Sequence, residues 1–143
     1  MISIDLVEEK DFSILKEFDK HEWFSADREH YGEQELDFTK HKFAFVAREE
    51  ERMIGYISLT FDLGVVYMES LIVSEKYRGQ GIAAKLVALA EEKGRSLGAH
   101  KIRLETGYDW KAKDFYEKLG YEVRAHLPNY YAHRDFVLMD KEL

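Results

Sequence analysis

The sequence predicts an α/β (α+β) chain, a mixed, mostly antiparallel seven-stranded sheet flanked by about four helices. Three observations carry this expectation. Apolar runs rich in β-branched and aromatic residues recur between residues 43 and 73, separated by acidic or Asp-Leu-Gly turns. An alanine-rich stretch from Gly81 to about Leu97 repeats its apolar residues at helical spacing. Beyond it, a strand, a helix and two further strands are each punctuated by Gly or Pro-Asn.

Ile2, Ile4 and Leu6 alternate with polar residues and predict a first strand with one buried face. Asp11 is placed to cap a short helix with Phe12, Leu15 and Phe18 on one side. A second helix is expected near 27–37, inside a polar, acidic stretch. Phe43 to Arg48 and Met53 to Phe61 form a strand pair around a solvated Glu49-Glu50-Glu51 turn, and Asp62-Leu63-Gly64 turns the chain again. Val65 to Val73 is an apolar strand with one charge, Glu69.

A loop from Ser74 to Gln80 leads into the central helix, whose buried stripe is Ile82, Leu86, Leu89 and Ala90. Gly94 weakens its last turns and Gly98 ends it. Ile102 and Leu104 mark the next strand. Asp109 caps the following helix, which carries Phe115, Tyr116 and Leu119 and closes at Gly120. Tyr121 to Leu127 and Phe136 to Met139 are the last strands, broken by Pro128-Asn129. The long helix between the Val65–Val73 strand and the Ile102 strand implies a right-handed crossover between parallel neighbours. With no repeat, linker or low-complexity segment, 1–143 is expected to be a single domain.

Composition narrows the function classes. There is no cysteine, so disulfides, thiolate metal sites and cysteine nucleophiles are excluded. The six histidines form no His-Glu-x-x-His pair, which leaves no metal expected. The N-terminus is not patterned as a signal peptide, and no long apolar run suggests a membrane span, so a cytoplasmic location is the default. The net charge of −7 is uneven: residues 1–72 carry −9 and residues 73–143 carry +2. The first part repels a nucleic-acid backbone, and basic residues do not interleave with aromatics as a nucleic-acid platform requires. The second part has the sign suited to a phosphorylated ligand. A net of −7 also serves solubility alone.

Arg78, Gly79, Gln80 and Gly81 sit at the junction between a strand and a helix. A helix start offers unpaired N–H groups and the positive end of the dipole. Glycines let those groups approach an anion, and Arg78 adds a planar fork of donors. The loop is therefore a candidate seat for a pyrophosphate; the competing reading is a tight turn with its arginine in water. It is neither a triphosphate loop, since Gly-x-x-x-x-Gly-Lys-Ser/Thr is absent, nor a dinucleotide fingerprint, since position 84 is alanine.

On these residues the chain resembles the GNAT superfamily of N-acetyltransferases. That family's cofactor loop, Arg/Gln-x-x-Gly-x-Gly/Ala, is matched by Arg78-x-x-Gly81-x-Ala83. Its second block is matched by Asp109-x-x-Ala112-x-x-x-Tyr116-x-x-x-Gly120-Tyr121, with Asp109 replacing asparagine and Tyr121 replacing phenylalanine. The resemblance implies acetyl-CoA as cosubstrate and splayed central parallel strands. It places the pantetheine arm along Leu71, Ile72 and Val73. The pyrophosphate is placed on the amides from Arg78 through Gly79, Gln80, Gly81 and Ile82 to Ala83, with Asp109 and Ala112 near the cofactor. A fainter likeness points to the ribosomal-protein alanine acetyltransferase branch, carried by Glu105, the Pro128-Asn129-Tyr130-Tyr131 tail and the Asp135–Met139 segment.

Transfer of an acyl group from a thioester needs a neutral amine, so a carboxylate must take a proton, while the departing thiolate needs an acid. The resemblance gives Tyr116 the acid role; a core tyrosine is the alternative. Glu105 and Glu69 compete as base. Tyr31, Tyr130 and Tyr131 are candidates for the acceptor side and equally suit sealing a sheet edge. The acidic residues Glu29, Glu33 and Glu35 favour a cationic acceptor, such as a polyamine, a lysine side chain or a peptide amino terminus, unless they form a solvated face. The last two strands leave a homodimer open. The second functional class is an inactive acyl-CoA-binding sensor or structural domain, kept alive by Asp109.

Overall fold

The computed structural model describes all 143 residues in two units, Met1–Leu36 and Asp37–Leu143. In the first, a 3-10 turn at Glu9–Asp11 leads into one helix, α1 (Ser13–Tyr31). Where two helices were expected there is one, because no Gly or Pro interrupts residues 13–31. It stops at Gly32 (φ 70°), whose amide bonds the Arg28 carbonyl at 3.0 Å. Phe12, not Asp11, is the N-cap, and no side chain caps it. Ile2, Ile4 and Leu6 form no strand and are exposed. Alternation alone does not make a strand; the backbone also needs a neighbouring ladder to bond.

The second unit holds β1 (His41–Glu49), β2 (Arg52–Asp62), β3 (Val65–Val73), α2 (Ile82–Ser96), β4 (Lys101–Gly107), α3 (Lys111–Lys118), β5 (Glu122–Leu127) and β6 (Phe136–Glu142). The sheet therefore has six strands rather than seven, in the order β1-β2-β3-β4-β6-β5, and the α-helices number three rather than four. All pairings are antiparallel except β3 with β4. The β2–β3 turn places Leu63 (φ 47°) and Gly64 (φ 83°) in the left-handed region, as a tight hairpin of this hand requires. Glu49 is exposed as expected but ends β1 rather than lying in the turn, and its carboxylate accepts a hydrogen bond from the Tyr77 hydroxyl.

The core lies between α2 and the sheet. Leu86, Val87, Ala90 and Gly94 are buried on α2, facing Ile57, Val66, Ile102 and Met139 of the sheet core. The stripe is rotated from the expected one: Val87 is buried and Leu89 is exposed. Each fully buried aliphatic side chain contributes about 1.5–3 kcal/mol relative to exposure. Gly94 serves this packing, since a Cβ there would meet Val66 Cγ2 at 3.0 Å. Gly98 and Gly120, both at positive φ, follow the ends of α2 and α3 as expected. Asp109 does not cap α3: the N-cap is Trp110, without a side-chain bond. No helix is long and apolar enough to cross a membrane.

Candidate active site between the splayed strands

β3 and β4 pair only where Val65, Val66 and Tyr67 face Lys101, Ile102 and Arg103. Beyond that point β3 continues to Val73 bonded to β2, and β4 continues to Gly107 bonded to β6. Neither finds the other, so the sheet opens down its middle and leaves one edge of each strand without a partner strand. A cavity of about 470 Å³ occupies the opening, lined among others by Leu71, Ile72, Glu105, Ala112 and Tyr116.

A bulge brings Glu69 to this cavity. Ser58 faces Ser70 and Leu59 faces Met68, so Glu69 has no partner on β2. The extra residue bends β3, and Glu69 is exposed, its carboxylate bonded by the Thr60 hydroxyl. Glu105, on β4, is more enclosed. Tyr67 Oη donates to its Oε2 at 2.9 Å and Arg103 Nη1 to its Oε1 at 3.2 Å. The Arg103 guanidinium also lies over the Tyr67 ring, 4.2 Å from its centroid. Burial, with the bond to Glu105, pushes the Tyr67 hydroxyl up to about 12. Tyr67 and Arg103 belong to no motif in the sequence. Their one signal was strand alternation, which puts Arg103 on the face of Glu105.

Tyr116 stands on α3, buried, with its hydroxyl 3.5 Å from Met68 Sδ. Burial raises it to about 12, so it stays protonated throughout the neutral range. A thioether is a weak acceptor, so this hydroxyl has a proton without a strong partner for it.

A second cavity, about 360 Å³, lies at the start of α2 and is lined by Val73, Arg78, Gly79, Gly81, Ile82 and Ala83 among others. The first helical bond runs from the Lys85 amide to the Gly81 carbonyl at 3.1 Å, and the amides from Gly79 to Ala84 have no acceptor in the chain. Gly79 (φ 73°) and Gly81 (φ 78°) sit in left-handed conformations, and a Cβ on either would project into open space. That is a cradle of donors with room before it, which fits a diphosphate. Arg78 contributes only partly: its Nε donates to the Val73 carbonyl at 2.9 Å, which ties the loop to the end of β3.

The two cavities thus gather Glu69, Leu71, Ile72, Val73, Arg78, Gly79, Gly81, Ile82, Ala83, Glu105, Ala112 and Tyr116. Gln80 and Asp109 line neither cavity, and both are exposed. Tyr130 and Tyr131 approach the larger cavity indirectly. Tyr131 meets Phe136 edge-on at 5.1 Å, and Phe136 meets Trp110, a lining residue, at 5.3 Å. Tyr31 is the last residue of α1, in the first unit.

The profile of the acetyltransferase (GNAT) family matches residues 9–121. The N-alpha-acetyltransferase 30 of Schizosaccharomyces pombe is 38% identical over 96 residues, which cover 63% of this chain and 64% of that protein. The chain thus spans a little under two thirds of that relative's length. Among solved structures, an acetyltransferase from Bacillus cereus superposes with a TM-score of 0.78 at 17% identity, covering 99% of this chain and 98% of its own. The ribosomal-protein-S18-alanine N-acetyltransferase from Escherichia coli gives 0.66 at 18% identity, covering 98% and 92%. At these identities the two structures share the fold with this chain.

Proposed function

The chain belongs to the GNAT acetyltransferase family, and from that premise we propose that it is an N-acetyltransferase. It transfers an acetyl group from acetyl-CoA to a primary amine of a small molecule, a polyamine or a peptide. The observation that carries this reading is the opening between β3 and β4. It joins a cradle of unpartnered amides at the head of α2 to a cavity bearing a protonated tyrosine and two carboxylates.

Acetyl-CoA supplies the acyl group in activated form, as a thioester. The amides from Gly79 to Ala84 would hold its diphosphate, and the free edge of β3 at Leu71, Ile72 and Val73 would hold the arm as an added strand does. Tyr116 keeps a proton for the departing sulfur. Glu105 is the favoured base over Glu69. Its carboxylate is oriented by Tyr67 and Arg103 inside the cavity, whereas Glu69 stands exposed on the bulge. The two carboxylates favour a cationic acceptor. A peptide amino terminus is the first choice, in keeping with the names of the Schizosaccharomyces pombe and Escherichia coli proteins. Tyr130 and Tyr131 belong to the acceptor side in this reading. A cytoplasmic location and a homodimer through β5, an edge strand of the sheet, complete it.

The test is thiol release from acetyl-CoA in the presence of short peptides with free or blocked amino termini, spermidine and small amines. Turnover that requires a free amine supports the reading. Tight acetyl-CoA binding with no turnover on any amine would favour a sensor instead.

A further inference from the structure

Asp135 ties the segment between β5 and β6 to the elements around it, while His133 Nδ1 meets Asn129 Oδ1 at 3.1 Å within the segment. Asp135 Oδ1 accepts the Asn129 amide at 2.9 Å, and Oδ2 meets His126 Nε2 at 2.9 Å. The Asp135 carbonyl accepts the Tyr108 amide at 3.1 Å, and the His126 ring stacks on Tyr108 at 4.7 Å. Asp135 therefore joins the loop to β5 and to the turn between β4 and α3. Inside this closure, the Tyr130 amide bonds the Arg134 carbonyl at 2.8 Å.

The closure holds an unfavourable backbone. Asn129, Ala132 and His133 have φ of 48°, 52° and 60°, a region that residues with a Cβ rarely adopt. Such conformations persist where surrounding bonds over-determine them, and they cluster where a side chain must be presented. Here the loop presents Tyr130 and Tyr131, packed edge to face at 4.6 Å. Tyr131 continues through Phe136 to Trp110, which lines the cavity of Glu105. The negative charge of Glu105, with some burial, holds the Tyr131 hydroxyl above its ordinary range, which places Tyr131 in the field of the proposed base.

We infer that Asp135 is a positioning residue for the acceptor: by holding Asn129 and His126 it fixes Tyr131 beside the cavity that Glu105 lines. The inference rests on the acyltransferase reading. Asp135 touches no reacting atom; it acts through Tyr131.

The experiment measures kcat and KM for short peptides with free amino termini beginning with Ala, Ser or Met, together with the Kd of acetyl-CoA. Asp135→Ala should raise the peptide KM about tenfold, with kcat and the acetyl-CoA Kd changed less than about twofold. Asp135→Asn keeps an oxygen for the Asn129 amide and should recover most of the KM. In a Tyr131→Ala background, Asp135→Ala should add no further rise, because the residue it positions is gone. A KM unmoved by Asp135→Ala while the melting temperature falls would overturn the inference and leave the acyltransferase reading standing. So would an undiminished KM rise in the Tyr131→Ala background. No turnover of any amine by the unaltered chain would remove the parent reading, and the inference with it.

Discussion

The Tyr116 hydroxyl on α3 reaches the sulfur of Met68 on β3 at 3.5 Å, across the opening between the splayed strands. It is a proton donor aimed at a sulfur, in the gap where a thioester would lie. Tyr116→Phe should lower kcat by about 10²- to 10⁴-fold, the usual worth of a general acid. The acetyl-CoA Kd should stay nearly constant. Since burial lifts the hydroxyl to about 12, kcat should show no alkaline limb near the ordinary tyrosine value of 10.0. Steady-state rates across pH, beside calorimetric binding, check both statements; an unchanged kcat would remove Tyr116 as the acid.

Glu105 and Glu69 separate by mutation. Glu105→Gln keeps the shape and the bonds to Tyr67 while losing the base, and should cost about 10²-fold or more in kcat. Glu69→Gln, on the exposed bulge, should cost less than about fivefold. Equal losses from both would mean that the two carboxylates share the task, and the reverse order would transfer the role to Glu69.

The glycine cradle makes a prediction about binding alone. Gly81→Val forces a branched side chain into a left-handed conformation and into the open space before the α2 amides. The backbone cost is about 1–2 kcal/mol. The acetyl-CoA Kd should rise at least about tenfold, corresponding to about 1.4 kcal/mol. Thermal melting and calorimetry measure the two effects separately.

A pH dependence of stability follows from Asp140. Burial pushes its carboxyl up, but hydrogen bonds from Arg124 Nε (2.6 Å) and an ion pair with Lys101 (3.3 Å) outweigh this and hold it below the ordinary 3.8. The sign is that of a depressed acid. The stabilisation is present above the unfolded value and is lost as pH falls through the lower folded value. Melting temperatures from pH 6 downward should therefore fall below about pH 4, in line with the ordinary carboxylate range. Asp140→Asn should melt lower at neutral pH and lose part of that slope. An unchanged acid slope would show that the pair contributes nothing to it.

Much of this architecture can be read from local chemistry. Leu63-Gly64, Gly98 and Gly120 mark real chain reversals because each needs a left-handed residue at that point. The cradle is equally legible, since glycines and a helix start are local features. Ile2, Ile4 and Leu6 alternate like a strand, yet pairing is a long-range decision that no short window contains. For the same reason the insertion of β6 between β4 and β5 has no local trace. The splay was expected from the family resemblance, not from residue spacing. Tyr67 joins Arg103 and Glu105 only through the pairing of β3 with β4, a contact between residues distant in the sequence. Asp109 fails as a cap because Trp110 takes the N-cap position, and its ring lies over Gly107, where a Cβ would collide with it.

Hydrogen exchange at the head of α2, with and without acetyl-CoA, reports on the diphosphate cradle itself. Gly79 to Ala84 should be strongly protected on binding, together with protection along Leu71 to Val73. Saturating acetyl-CoA that leaves both segments exchanging at their free rates would contradict this mode of binding.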